Sequence, residues 1–462
     1  MLFNANLIQL PVNTLQRYTK YYKTIGRLAL PLFIGQLGNI AVSFADNIMV
    51  GHYSTDALAS ASFVNNVFNI AIFACLGFTY GLTPLLGALF AKGDSDSIGH
   101  LTRVGLRINT VYTIVIIGLM LALYFNVDRL GQPEHLLPLI RPYFLIVLAG
   151  MLPMMLFSVL SQWSFAVGNT SMPTWIVLSA NVINVIGNYI LIFGKCGMPE
   201  LGLIGAGIST FTARILCAVT ISVIFFAMST GRKYRPGFRR SRAEKGEITT
   251  VARTGFPVSM QMAFETAAFS GAAVMAGWLG RDELAAFQIV VISGMFGFCL
   301  YYSIGTAMAI PLSHAAGRGD NADMRRWAWA GYHIILATML VACSIFIFFG
   351  RPIMSIFTTD AAVRTLAFTL IFPLVVYQFG DATQITFANA LRGTSHVMPM
   401  LWCAFISYVV VGLPSTYLLG FTVGWGLWGI ILSFSASLFM AAALYFFFFM
   451  RTTAQKSQKI KA

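Results

Sequence analysis

Three carboxylates, Asp46, Glu265 and Asp381, stand inside long apolar runs of this 462-residue chain, whereas its other acidic residues occupy polar breaks or the ends of runs. A carboxylate held at depth in hydrocarbon costs about 2.5–3.5 kcal/mol on insertion scales, so it is paired, protonated or facing a watery cavity, and it marks a path for ions or substrate. Glu265 follows Arg253 by twelve residues and Asp381 precedes Arg392 by eleven. At 1.5 Å per helical residue, both lie about 16–18 Å from the same basic boundary. Two carboxylates at one level can share a proton or a hard cation such as Na+, because their oxygens suit it and their mutual repulsion favours neutralising one of them. Tyr377, four residues before Asp381 and on the same helix face, can add a phenolic oxygen.

Asp46 is nineteen residues beyond Arg27 and five before Gly51, a position compatible with the cavity or with the opposite interface. Asn184 and Asn188, spaced i,i+4, either line a first-half cavity with Asp46 and Gln36 or make interhelical hydrogen bonds. Pro31 removes a backbone hydrogen bond about four turns below Asp46, which makes it a gating candidate. Arg214 has no partner nearby in sequence, and a cavity-facing or a snorkelling side chain fits it equally. No phosphate-binding Gly-rich loop, GxSxG or HExxH occurs, which sets aside a built-in ATPase, a serine hydrolase and a zinc protease. Any transport then draws on an ion gradient. The six cysteines form no CxxC or Cys/His cluster, so neither a disulfide nor zinc is indicated, and no cofactor is expected.

The elements that must position these residues are membrane helices. The chain is 57% hydrophobic and 10% charged, against about 25% charged in soluble domains. Its apolar runs are long enough to span a bilayer and too long for barrel strands. The breaks predict helices near 27–50, 57–88, 102–126, 137–162, 173–194, 203–229, 252–279, 284–314, 327–350, 362–391, 397–421 and 426–450. No short apolar stretch with a cleavage site marks a signal peptide at the start. With the N-terminus inside, inner segments carry about 23 of the 30 Lys/Arg and outer loops about 6, which predicts two cytoplasmic termini. The net charge of +14 therefore reads as topology signal at an anionic leaflet, not as nucleic-acid binding.

The most basic stretch, within 230–251, divides the chain into an N-terminal segment 1–26, a six-helix bundle 27–229, a second bundle 252–450 and a basic tail 451–462. Sliding the first half by 226 residues pairs Pro31 with Pro257, Gly51 with Gly277, Asp56 with Asp282, and Gly93-Asp94 with Gly319-Asp320. Gly202 and Gly205 face Gly426 and Gly429 within two residues of that offset. Because six helices return the chain to its starting side, the halves are expected to be parallel repeats around a central cleft.

LALPLFIGQ at 28–36, FADNIMVG at 44–51, INVIGNYILIFGKCGMPELGLIGAG at 183–207, GFPVSMQMAFE at 255–265 and YQFGDATQITFANALRG at 377–393 resemble the multidrug and toxic compound extrusion (MATE) family, NorM-type branch. The resemblance covers nearly the whole chain. It implies an all-α membrane protein of twelve helices that exports cationic amphipathic compounds in exchange for Na+ or H+. Position by position, it assigns cation coupling to Glu265, Tyr377 and Asp381, with Na+ a possible ligand of the two acids. It assigns a substrate or proton cavity to Asp46, Gln36, Asn184 and Asn188. The expected setting is a bacterial inner membrane, with lipids around a monomer. Phe287 before Gln288, where many members have histidine, and Arg214 depart from the pattern and bear on substrate detail. The alternatives are a lipid-linked oligosaccharide flippase of the same superfamily and, through Gly380-Asp381, an intramembrane aspartyl protease, although Gln378 breaks the usual GxGD.

Overall fold

The computed structural model describes residues 12–239, 245–358 and 360–455. The described residues are overwhelmingly helical and include no strand, which satisfies backbone groups internally, as a hydrocarbon surround requires. The first half comprises α1 (Val12–Tyr53), α2 (Thr55–Tyr80) continued by α3 (Leu82–Ala91), α4 (Ser95–Tyr124), α5 (Leu137–Ala149) continued by α6 (Met151–Ala166), α7 (Ser171–Ile192) and α8 (Gly202–Phe226). A 3-10 turn and α9 (Arg235–Arg239) lead to the second half. There α10 (Lys245–Leu279), α11 (Arg281–Arg318) and α12 (Asn321–Phe357) are followed by α13 (Ala361–Thr369) with α14 (Ile371–Gly393). Next, α15 (Met398–Ala404) runs through π-helical turns and α16 (Leu413–Tyr417), and α17 (Gly426–Gln455) ends the fold.

Among the described residues, ten helices or continued pairs are long and apolar enough to cross a membrane, and α13 with α14, bent by 47°, makes an eleventh. The twelfth span is α10, 35 residues long but diluted by Ser259, Gln261, Glu265 and Ser270. The protein is thus an all-α, multi-pass membrane protein of two six-helix repeats.

Local chemistry explains the repeat. Gly93 and Gly319 both adopt a left-handed conformation, with φ of 73° and 74°. The aspartate after each caps the next helix: Asp94 accepts from Ser97 N and Asp320 from Asp323 N, both at 2.9 Å. Gly202 and Gly426 likewise share φ values of 52° and 54°.

Several boundaries differ from the sequence expectation. The first helix begins at Val12, so part of segment 1–26 is helix. Four breaks fall at Gly81, Gly150, Phe349 and Leu370. Each lies three residues before a proline, namely Pro84, Pro153, Pro352 and Pro373. The missing proline N–H frees the carbonyl four residues earlier and the ring crowds it. By contrast, α1 continues unbroken through Pro31. Past Ala404, Phe405–Gly412 and Leu418–Thr422 wind as π-helix around Pro414, which has no N–H to give the ladder. Of the basic linker, residues 240–244 lie outside the described residues, as do 456–462 of the tail.

Packing divides by depth. Away from the basic ends of the helices each half has its own core, one around Phe68 and Phe144 and the other around Ile430 and Phe434. Toward the basic ends, Ile25 and Ala29 of α1 enter the second half's core. There the halves meet closely: a Cβ on Gly81 would lie 2.7 Å from the Gly255 backbone. Tyr112 and Ser259 hydroxyls are 2.6 Å apart, and His314 Nε2 is 2.7 Å from Ala166 O. The contacts between the halves thus gather toward the basic end, while toward the other end each half packs on a core of its own on either side of the central cleft.

Candidate ion and substrate site

In the second half, α10 and α14 bring Glu265 and Asp381 within electrostatic reach of each other, with Tyr377 in reach of both. Asp381 is 1% exposed, and its Oδ2 has no hydrogen-bond partner. An orphaned buried carboxylate oxygen of this kind is costly to keep charged unless a proton or a cation meets it. Glu265 Oε2 accepts a hydrogen bond from Gln261 Nε2, one turn earlier on α10, at 2.7 Å. Tyr301 on α11 is within electrostatic reach of Asp381, and Tyr408 in the π-helical segment is within reach of both acids. The hydroxyls of Tyr301 and Tyr408 are also buried without partners. Two carboxylates surrounded by phenols within electrostatic reach offer oxygen donors alone, which suits a proton or a hard monovalent cation.

In the first half, Asp46 on α1 accepts a hydrogen bond from Asn188 Nδ2 on α7. Asn184, one turn earlier, joins them when its amide is turned to satisfy both ends. Its nitrogen then donates to Asp46 Oδ1 at 3.1 Å and its oxygen accepts from Thr210 N at 3.1 Å. Ser209 Oγ donates to the Asn184 carbonyl at 2.8 Å, fixing α7 against α8. Tyr143 is within reach of both Asp46 and Arg214. Gly150 makes room for that arginine, since a Cβ there would stand 2.8 Å from Arg214 Nη1. Gln36 does not join this cluster: it is ten residues, about 15 Å, along α1 from Asp46. No hydrogen bond among the described residues links the two. Pro31 lies farther still along the same helix.

Arg392 belongs to the site although its sequence position marked it as a boundary residue. It is 6% exposed in the last turn of α14, and its Nη2 donates to Gln261 Oε1 at 3.5 Å. A basic residue at the end of an apolar run reads the same whether it faces headgroups or turns back into the fold. Tyr301 and Tyr408 carried no signal either, because buried and interfacial tyrosines look alike in sequence.

A cleft between two six-helix repeats, with carboxylates inside the spanning helices of both halves, defines a membrane transporter rather than an enzyme. The MatE family model matches residues 31–190 and 257–418, once in each half. The chain belongs to the MatE family, and the aspartyl protease alternative falls with that finding. Similar proteins include a probable multidrug resistance protein NorM of Xanthomonas campestris, 28% identical over 95% of this chain and 96% of that protein. The multidrug resistance protein NorM of Vibrio cholerae is 27% identical over 92% and 95%. Among solved structures, an outward-facing multidrug resistance MATE transporter of the MOP superfamily matches with a TM-score of 0.86 at 16% identity, over 95% of this chain and 97% of that one. A MOP superfamily transporter from Pyrococcus furiosus matches at 0.85 and 16%, with the same coverage. At these identities the structural likeness speaks for the fold.

Proposed function

We propose that this protein is a secondary active multidrug efflux transporter that exports cationic amphipathic compounds by antiport with Na+ or H+ through alternating access. The observation that carries the reading is Asp381, 1% exposed with an unpartnered oxygen and within electrostatic reach of the half-buried Glu265, inside one half of a two-repeat fold. Glu265, Tyr377 and Asp381 hold the coupling cation. Asp46, Asn184 and Asn188 contribute negative charge and amide dipoles to a cavity for the cationic substrate or a proton, and Gln36 lines the same half at another depth. The names of the NorM relatives support drug export. The protein sits in a bacterial inner membrane as a monomer with both termini cytoplasmic, so the closed basic end is the cytoplasmic one and the cleft faces out. Pro31 lies within an unbroken helix in this state, and a gating role requires α1 to bend in another.

The test is efflux of a fluorescent lipophilic cation from proteoliposomes, with Na+ and pH gradients imposed separately. Efflux is expected to accelerate under one gradient and to collapse when that gradient is dissipated. Efflux indifferent to both gradients would refute antiport.

A further inference from the structure

We propose that Arg392 is a tethered counter-cation of the second-half site and sets that site to take up a single monovalent cation. The inference rests on Glu265 and Asp381 being the coupling carboxylates. Arg392 Nη1 donates to Asn389 Oδ1 at 3.3 Å and Nη2 to Gln261 Oε1 at 3.5 Å. Gln261 in turn donates from Nε2 to Glu265 Oε2 at 2.7 Å, so one amide bridges guanidinium and carboxylate. Tyr80 of α2 covers the guanidinium from the first half, with its ring centroid 5.6 Å from Cζ. Arg392 Nε is buried without a partner. No ion pair of Arg392 with a carboxylate occurs among the described residues.

A guanidinium keeps its charge at any physiological pH, and a buried charge needs nearby compensation. The compensation at hand is Glu265, reached through Gln261. With Glu265 and Asp381 negative and Arg392 positive, the cluster is short of one positive charge. One Na+ or one proton closes that deficit, and a second would leave the interior with an uncompensated positive charge. Without the arginine the deficit is two. Arg392 is a positioning residue in this scheme: it acts on the cation through Gln261 and through the field, and need not touch the ion.

The sign of the effect separates this from a merely structural role. Removing a structural side chain weakens a site, whereas removing a counter-cation must strengthen its hold on cations. The experiment measures cation uptake by purified, drug-free protein in an Asp46→Asn background, so that the second half alone is counted. Bound 22Na+ is measured by equilibrium dialysis and protons are measured by pH-stat. With Arg392 intact, uptake is expected to saturate at one equivalent. Arg392→Gln or Arg392→Met should reach two equivalents, or hold the first at least about tenfold more tightly, while Arg392→Lys retains the wild-type count. Should the neutral variants not fold, Gln261→Glu decides the matter, since the added negative charge should raise uptake by one equivalent. An unchanged or weakened uptake in a folded neutral variant, or no gain in Gln261→Glu, overturns the counter-cation. Asp381→Asn separates the two readings: if it takes up cations as the background protein does, the coupling site itself is misplaced. If it loses uptake while Arg392→Met is unaltered, only the role of Arg392 fails.

Discussion

At the scale of single residues, the carboxylates were readable because a charged side chain amid an apolar run has few inexpensive structural explanations. The two second-half acids are not equivalent in their surroundings. Glu265 has a hydrogen bond from Gln261, while an Asp381 oxygen is left bare. Glu265→Gln and Asp381→Asn preserve volume and remove the negative charge on which a cation depends. Both are expected to reach the membrane in normal amounts and to lose gradient-driven efflux, with Asp381→Asn at background level. Immunoblotting of membranes alongside proteoliposome efflux measures both quantities, and full efflux in both variants would exclude the site. Tyr377 is expected to be more forgiving, since the unpartnered hydroxyls of Tyr301 and Tyr408 also lie within electrostatic reach of the acids. Those two phenols and Arg392 were illegible for one shared reason. Their residue types are common at helix ends and in membrane cores, and only the tertiary fold brings them within reach of the acids.

At the scale of elements, helix existence followed from hydropathy, and the paired Gly-Asp breaks at 93–94 and 319–320 carried the repeat because each supplies a left-handed residue followed by a cap. Hydropathy does not mark the internal breaks, although their pattern is simple: Gly81 and Gly150 each stand three residues ahead of a proline. Proline alone does not suffice, since Pro31 and Pro257 sit in continuous helices. Gly81 has a second task. It lets α2 and α3 press backbone to backbone against Gly255 in the first third of α10, where the halves close. Gly81→Ala places a Cβ 2.7 Å from that backbone, and overpacking of this kind typically costs about 1–3 kcal/mol. The cost falls on the closed arrangement alone, so the population is expected to shift toward molecules open at the basic end. Spin labels on Lys92→Cys and Arg318→Cys, exposed at the ends of α3 and α11, would report the shift as a longer distance component. Cys196, the one exposed native cysteine, is replaced first. An unchanged distance distribution in Gly81→Ala would mean that this contact does not hold the halves together.

At the scale of the whole molecule, the first-half cluster around Asp46 and the second-half cluster around Glu265 and Asp381 belong to different repeats. A ligand at one can therefore influence the other only through the arrangement of the two halves. A coupling ion and a drug that bound equally to both arrangements would shift nothing, however tightly they bound. Exchange requires that they favour opposite arrangements, and linkage then makes their antagonism reciprocal: the cation weakens drug binding by the factor by which drug weakens cation binding. If Asp46 with Asn184 and Asn188 holds the drug, Asp46→Asn should bind a fluorescent cationic drug more weakly while its cation affinity is largely kept. Asp381→Asn should do the reverse, keeping measurable drug binding that no longer responds to the coupling cation. Equilibrium binding of the fluorescent cation, titrated with Na+ at fixed pH and with pH at fixed Na+, distinguishes the cases and identifies the coupling ion in the same experiment. Should drug binding to Asp381→Asn remain as sensitive to each cation as wild type, the second-half assignment is wrong. Asp46, hydrogen-bonded to Asn188 of α7, would then have to carry the coupling ion itself, and drug and cation would compete directly for one carboxylate instead of acting across the cleft.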